Sequence, residues 1–306
     1  MDFPLDVLAI GEVLWDIFPD EKRLGGAPFN FAAHCRQLGA HSAMVSRVGC
    51  DALGDQAVAR AQEIGVEHTL VQRDPAHPTG QVRVTLGADG QPSYEFARDV
   101  AYDFLASDAA ALARAATADV ICFGTLAQRH PTSRHAIDQL LEAASDALRV
   151  CDLNLRAPHY SEQVVRDSLA RCNLLKLNHE ELLTVQQMLR LNSQDDDQLL
   201  LRLLDAYGLE MICVTLGAQG CILRTHDERI EALGYPCQVV DTVGAGDGFA
   251  AALVVQYEGG APLVEVADFA NRVGGYIATQ PGAIPDITPL KLEEFASQCA
   301  PGSPEI

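Results

Sequence analysis

Short apolar runs recur along the chain, separated by longer stretches with helical spacing. "DVLAIGE" (6–12) is a compact apolar run ending near glycine, the pattern of a strand buried on both faces of a parallel sheet. "APFNFAAHCRQLGA" (27–40) predicts a helix with proline near its first turn and Gly39 at its end. "SAMVSRVG" (42–49) predicts the next strand, and "DALGDQAVARAQEIGV" (51–66) the next helix, stopped by Gly65. Strands alternating with helices build a parallel sheet covered by helices. The rhythm breaks at about 67–100, where "GQVRVTLGADGQPSYEFARD" (80–99) alternates apolar and polar residues on either side of "GADGQP". That pattern predicts two half-exposed strands around a turn. With the stretch around 13–24, they predict a small sheet projecting from the main body.

The alternation then resumes. "ADVICFG" (118–124), "LRVCDLN" (148–154), "CNLLKLN" (172–178) and "EMICVTLG" (210–217) read as four more apolar strands with helices between them. "GCILRT" (220–225) and "RIEAL" (229–233) read as an antiparallel edge, and helices are expected at about 246–258, 262–279 and 289–298. "QDDD" (194–197) reads as a solvated loop entering a helix, and the tail "PGSPEI" as frayed chain.

Composition narrows the classes. The 306 residues suit one large α/β domain with an accessory element, or two domains, and no internal repeat is visible. The formal charge of −20 repels nucleic acid and anionic lipid, so neither is an expected partner; a small anion held by local donors stays open. The nine cysteines are odd in number and contain no Cys-x-x-Cys pair, which reads as free thiols in a reducing, cytoplasmic setting. The N-terminus has no basic region typical of a signal peptide, and no apolar stretch approaches the roughly 18 residues of a membrane span.

The chemistry concentrates in "DTVGAGDGFAAALV" (241–254). Glycines at the start of a helix let another atom approach the backbone, and several unpaired N–H groups then point one way, reinforced by the helix dipole. The Gly244, Ala245 and Gly246 amides are a candidate anion hole. Asp247, in the first helical turn, reads by itself as a cap. Beside a phosphate cradle, however, a carboxylate repels the ligand unless it has another task, such as accepting the proton of an attacking hydroxyl in phosphoryl transfer. The glycine spacing follows no early strand, which argues against a dinucleotide fold, and no Gly-x4-Gly-Lys-Ser/Thr motif is present.

On these residues the chain resembles the ribokinase-like, or PfkB, carbohydrate kinases. "DTVGAGD" (241–247) matches the C-terminal signature residue for residue, and "GGAPFNFA" (25–32) is similar to the N-terminal Gly-Gly signature. "GEVLWDIFP", "LGGAPFNFAAH", "FARD" and "DLNLR" are most similar to fructokinases. The resemblance spans essentially the whole chain. It implies one ribokinase-like three-layer α/β/α domain over 1–306, with a mostly parallel central sheet and a β lid from about 13–24 and 80–98. It further implies Asp247 as general base and Gly244, Ala245 and Gly246 as the anion hole. Asp16 and Asn30 would contact sugar hydroxyls, with Gly25 and Gly26 admitting the sugar to the backbone. Arg98 and Arg156 would face the sugar or the transferred phosphate. Read alone, Asp16 and Asn30 are a turn acid and a helix cap, and the two arginines are surface ion pairs. Leu153 stands where the family commonly has proline, and Tyr160 where tryptophan is common.

The likeness extends to the nucleotide. "NHEE" (178–181) matches an Asn-x-x-Glu motif, which implies that Asn178 lies near the nucleotide and that Glu181 acts on Mg²⁺ through water. Glu181 read alone is a favourable acid at a helix start. "VTLGAQG" (214–220) resembles the nucleotide loop and assigns Thr215, Gly217 and Gly220 to phosphate or ribose, with Asn271 near the adenine. "IATQPGAIPD" (277–286) resembles a stretch that, with Asp241 and Val243, gives carbonyls to a monovalent cation such as K⁺, here from Ile277, Gln280 and Gly282; otherwise it is a plain Pro-Gly turn. The histidines show no metal-ligand pattern, and Trp15 reads as a packing residue that touches the sugar at most. Together these features imply an ATP- and Mg²⁺-dependent kinase transferring the γ-phosphoryl group to a primary hydroxyl of a small free sugar, D-fructose foremost. A lid-paired homodimer is a further implication of the likeness. The rival acceptors are 2-keto-3-deoxygluconate, a sugar phosphate (disfavoured by Ala27 and the lack of lysine in "GGAPFN") and a nucleoside. A rival from another class is a non-catalytic sugar sensor on a kinase scaffold.

Overall fold

The computed structural model describes residues 4–86, 92–193 and 195–299. The first part of the chain forms β1 (Asp6–Ile10), β2 (Leu14–Ile17), β3 (Lys22–Gly25), α1 (Ala27–Gln37), β4 (His41–Gly49), α2 (Ala52–Ile64), β5 (Val71–Asp74), β6 (Gly80–Leu86) and β7 (Pro92–Phe96). Then come α3 (Ala109–Ala115), β8 (Val120–Phe123), α4 (Pro131–Ala143), β9 (Leu148–Asp152), α5 (Glu162–Arg171), β10 (Leu174–Asn178), α6 (His179–Leu189) and α7 (Asp196–Tyr207). The last part holds β11 (Met211–Thr215), β12 (Cys221–Arg224), β13 (Arg229–Ala232), α8 (Ala245–Glu258), α9 (Leu263–Ala278) and α10 (Pro289–Cys299).

Nine strands form one sheet in the order β13-β12-β11-β10-β9-β8-β1-β4-β5. All its pairings are parallel except β11–β12 and β12–β13, the antiparallel edge expected from the sequence. The pleat sorts the core into two layers. Leu8 and Ile10 of β1 enter a cluster with Leu140 of α4 and Leu203 of α7, while Val7 and Ala9 enter a second cluster with Ala250 of α8 and Ala270 of α9. Helices therefore cover both faces, which is why the strands read as unbroken apolar runs. From β1 the chain moves to β4 and β5 on one side and returns at β8 on the other. The strand order thus reverses beside β1, where open α/β sheets bind ligands at their carboxyl ends.

The smaller sheet runs β3-β2-β6-β7, with β2–β6 parallel and its other two pairs antiparallel. It contains both predicted stretches. The turn expected at 87–91, the loop residue Gln194 and the tail from 300 onward lie outside the described residues. The sequence pattern missed β5. "VQRD" has one apolar residue, because it pairs only with β4 at the sheet margin and buries little.

Gly220, in the turn after β11, and Gly260, just after α8, give a paired stability test. Gly220 has φ +104°, and a β-carbon there would collide with the carbonyl oxygen of Ala232. Gly260 has φ +74° with nothing within 4 Å of such a carbon. Gly260→Ala is expected to cost about 1 kcal/mol of strain. Gly220→Ala should cost roughly 3 kcal/mol or more, since strain and overpacking add there. Urea denaturation of the two variants measures the difference, and equal losses would contradict the packing described.

Candidate active site

The carboxyl ends of the central strands and the start of α8 face one another. Glu12 follows β1, Asp152 ends β9, Lys176 lies in β10, and Asn178 pairs in register with Thr215 at the end of β11. Opposite them, Gly244 caps α8 with φ +79°, packed so closely on Ala283 that a side chain would strike that residue's carbonyl. The turn is thereby fixed against the 280–283 loop. The Ala245 amide donates to the Thr242 carbonyl at 3.2 Å, whereas the Gly244 and Gly246 amides have no partner among the described residues. Two orphan donors at a helix N-terminus make an anion site.

Asp247 sits in the first turn of α8, half-buried, and its Oδ2 accepts from Nδ2 of Asn30 on α1 at 2.7 Å. That bond turns the amide oxygen of Asn30 the other way, where it is buried without a partner. Burial pushes the Asp247 carboxyl up to about 6, and Asp152 adds to the rise; Lys176, the Asn30 hydrogen bond and Arg156 pull it back. A carboxylate tuned toward neutrality can take a proton from an alcohol in a concerted transfer.

Lys176 explains how several acids coexist here. Its Nζ lies 3.0 Å from both oxygens of Asp152, in a pair whose side chains are each 9% exposed. The same Nζ is 3.2 Å from where a β-carbon of Gly246 would stand, so the ammonium adjoins the free amides of the turn. Burial opposes the charge of Lys176, but Asp152, then Asp247 and Glu181, hold it protonated well above the ordinary lysine range. Sequence reasoning passed over both Asp152 and Lys176. The signal was present: a lone charge inside a strand buried on both faces requires a partner.

Two further acids, Asp16 and Glu12, lie in or just before β2. Asp16 on β2 lies against Gly25, with its Oδ2 3.2 Å from the position of a β-carbon there. Its carboxyl is raised to about 6 by burial, with Arg156 and Arg23 lowering it. Glu12, also unflagged by its sequence, is buried with Oε2 unpartnered. Burial lifts its carboxyl to about 7; its own and the Ala27 amides oppose this, and Asp247 reinforces it. Gly26, with φ +110°, packs directly on the backbone of Glu12. Arg156 is exposed and close enough to act on Glu12, Asp16 and Asp247 electrostatically. Arg98 is exposed and makes no ion pair or hydrogen bond among the described residues, so the surface-pair reading does not hold for it. Trp15 is buried and donates its Nε1 to the Leu53 carbonyl at 3.0 Å, a packing role.

On the other side, Asn178 and Glu181 form a reciprocal cap of α6. Glu181 receives the Asn178 amide at 2.8 Å and the Leu155 amide at 2.7 Å, and Asn178 Oδ1 receives the Glu181 amide at 2.8 Å. The helix-start reading of Glu181 is therefore realised, and any action on a metal is added to it. Gly217 (φ +60°) and Gly220 shape the turn after β11 and Thr215. Asn271 is buried and donates Nδ2 to the Ala232 and Leu233 carbonyls, both at 3.2 Å. Asp241 binds the Val243 amide at 3.0 Å, the Gly282 amide at 3.1 Å and Arg23 of β3 at 3.0 Å, clamping the turn, the 280–283 loop and the small sheet together. Ile277 gives its carbonyl to the Gln280 amide. His34, His41 and His179 bond Ala283, Asp6 and Asp196, as structural groups.

An α/β sheet with a small sheet over its carboxyl ends, a glycine turn opening a helix and an acid at its start defines a ribokinase-like phosphotransferase acting on a sugar hydroxyl. The model of the pfkB family carbohydrate kinases matches residues 11–289, and the chain belongs to that family. It is 31% identical to fructokinase-1 of Oryza sativa over 95% of this chain and 98% of that protein. The ATP complex of an uncharacterized sugar kinase from Pyrococcus horikoshii shares 26% identity and a TM-score of 0.78, covering 91% of this chain and 94% of that one. The 2-dehydro-3-deoxygluconokinase of Thermotoga maritima shares the fold at 20% identity and a TM-score of 0.82, covering 96% of this chain and 99% of that one.

The Asp152–Lys176 pair yields a prediction independent of catalysis. Lys176→Met strands a buried carboxylate and should cost about 3–5 kcal/mol. Replacing both partners, as Asp152→Leu with Lys176→Met, should recover most of that loss. Denaturant titration of the two variants decides the matter; a double variant no more stable than the single one would show that the pair is not the closed unit described.

Proposed function

We propose that this kinase transfers the γ-phosphoryl group of ATP to a primary hydroxyl of a small free sugar, D-fructose foremost, with Asp247 accepting the hydroxyl proton. The observation that carries this reading is the Asn30–Asp247 contact beside the two free amides of Gly244 and Gly246. An acceptor oxygen against Asp247 is then within reach of the turn that stabilises the migrating phosphoryl group. The unpartnered oxygens of Asn30 and Glu12 are acceptors for the donor hydroxyls of a neutral polyol, joined by Asp16. The exposed, unpaired Arg98, with Arg156, supports as a second reading an acceptor bearing a carboxylate, such as 2-keto-3-deoxygluconate.

No group of three or more His, Cys, Asp or Glu side chains among the described residues is placed to hold a metal by itself. That fits Mg²⁺ held mostly by nucleotide phosphates and water, with Glu181 acting through water. Bound there, Mg²⁺ neutralises charge on the phosphates. Of the backbone carbonyls expected to face a monovalent cation, those of Asp241, Val243, Gln280 and Gly282 receive no hydrogen bond among the described residues, whereas that of Ile277 accepts the Gln280 amide, so K⁺ binding rests on these four in this reading. Asn178, Thr215, Gly217, Gly220 and Asn271 form the nucleotide side of this reading, the two glycines and Asn271 through loop shape. The small sheet acts as the lid, excluding water during transfer.

Asp247→Asn should lower kcat by 10²–10⁴-fold with little effect on nucleotide binding. ADP release measured across fructose, ribose, 2-keto-3-deoxygluconate, fructose 6-phosphate and adenosine, with and without K⁺, ranks the acceptors. A variant keeping more than about a tenth of wild-type turnover removes the base assignment. The pH profile is a second check. With the Asp247 carboxyl at about 6, kcat/KM should fall as pH drops below that value. The stability effect has the opposite sign. A carboxyl raised from 3.8 binds a proton more readily folded than unfolded, so its contribution to stability declines as pH climbs from about 4 through 6. Asp247→Asn should therefore melt higher than wild type at pH 8, with the gain vanishing near pH 4.

A further inference from the structure

Two buried polar groups near the small sheet have no place in the transfer chemistry. Tyr102 OH and Arg129 Nη1, like Glu12 Oε2, have no hydrogen-bond partner among the described residues. Tyr102 is 0% and Glu12 3% exposed, and the Arg129 side chain 9%, so bulk solvent does not satisfy them. Buried polar atoms left unpaired are destabilising, and three together call for a common partner.

The three are neighbours. The Arg129 guanidinium lies 4.9 Å from the centroid of the Tyr102 ring. A β-carbon on Gly80 would stand 2.5 Å from Tyr102 Cε1 and 3.1 Å from the Val13 carbonyl, so the hydroxyl end of the ring lies near the backbone one residue past Glu12. Glu12 in turn acts electrostatically on both Tyr102 and Arg129. Neither of these two can turn elsewhere. Arg129 Nε and Nη2 bind the two oxygens of buried Asp103 at 2.7 and 2.8 Å, and Nη2 also donates to the Ala97 carbonyl, just past β7, at 2.6 Å. That bidentate grip fixes the guanidinium plane and leaves Nη1 as a donor of set direction. Tyr102 belongs to a 3₁₀ turn (Ala101–Phe104) whose position is held by Ser133 of α4, which donates Oγ to the Tyr102 carbonyl at 2.7 Å.

The set is one cationic donor, one hydroxyl that donates or accepts, and one carboxyl oxygen. It complements a single water, with its two hydrogens and two lone pairs. A second recess touches Glu12, about 10 Å³ in volume and lined also by Asp152 and Asn154. Asp152 is already held by Lys176 through both oxygens, so Glu12 is the one buried, unpaired side chain that recess offers among the described residues.

We propose that Arg129, Tyr102 and Glu12 enclose one buried water molecule, and that through it Tyr102 and Arg129 are positioning residues that hold the Glu12 carboxyl beside the transfer site. A carboxyl oxygen has a second lone pair, so Glu12 Oε2 still receives a sugar hydroxyl. Because Arg129 also grips Ala97, one guanidinium links the seat of the small sheet to the set of Glu12. The part played in transfer rests on the sugar-kinase reading; the water does not.

High-resolution crystal structures of the ligand-free wild type and of Tyr102→Phe test the water. A peak within hydrogen-bond distance of all three atoms is expected in wild type, and its loss or displacement in the variant, which keeps the ring under the guanidinium. Kinetics test the positioning. Burial dominates the Glu12 carboxyl, at about 7; Asp247 of α8 raises it, Arg156 after β9 lowers it, and Asp152 of β9 lines the same recess. Without the Tyr102 hydroxyl the ionised form loses a donor, so the carboxyl rises further. A neutral carboxyl is the weaker acceptor for a sugar hydroxyl. Fructose KM should therefore be about three- to tenfold higher near pH 7 in Tyr102→Phe, with kcat within about twofold. The pH dependence of that KM should move upward by up to about one unit, and Glu12→Gln should abolish it. No peak in wild type, a peak unmoved in Tyr102→Phe, or an unshifted KM profile would each overturn the proposal. If Tyr102→Phe does not fold, the wild-type density and the Glu12→Gln profile decide. Density is read without turnover, so failure of the water leaves the sugar-kinase reading intact, and inactivity on fructose would contradict that reading while leaving the water standing.

Discussion

The interaction on which the site depends is the buried ammonium of Lys176 among three acids. Asp152, Asp247 and Glu181 all bear on it, and burial would otherwise drive those carboxyls neutral or expel them. Strand β10 supplies the cation, β9 its bidentate partner, and α8 the acid on the far side. The parallel pairing of β9 with β10 puts Asp152 directly opposite Lys176 in register, so the pair is a product of sheet topology as much as of side-chain choice. Remove the cation and the acid expected to accept a proton would be held by a protein with one uncompensated carboxylate beneath it.

The two sides of the site use their acids differently. Around Lys176 the carboxylates are saturated: Glu181 by two backbone amides and Asp152 by Lys176. Near the small sheet the acceptors are incomplete, with Asn30 and Glu12 each keeping a buried oxygen unpaired among the described residues. Buried polar atoms without partners cost free energy, and a donor-rich ligand such as a sugar returns it. This asymmetry separates a surface built to be stable from one built to be filled.

Much of this was legible in the chain itself. Apolar runs six to eight residues long located the buried strands, because helices cover both sheet faces and no polar alternation is needed. The glycine turn before α8 announced itself through residues whose special backbone is indeed used, as at Gly244. What stayed hidden has physical reasons. Strand β5 buries one margin and carries no hydrophobic signature. The link between Asn30 and Asp247 joins residues 217 positions apart, which periodicity cannot show. Lys176 and Asp152, charges inside apolar strands, signal that each needs a partner without saying which, and Glu12 gives no such signal, so their nearness to one another shows only in the fold. Glu181 carried two readings, and its helix-capping one is visible in full in the hydrogen bonds.

The Arg23–Asp241 contact couples the small sheet to the loop beneath the glycine turn. Arg23 is 38% exposed at its side chain while Asp241 is 18% exposed, so dissolved electrolyte weakens the clasp without dissolving it. Were Arg23 withdrawn, Asp241 would lose its guanidinium yet keep the Val243 and Gly282 amides, so the glycine turn stays anchored to its loop whatever happens to the sheet above.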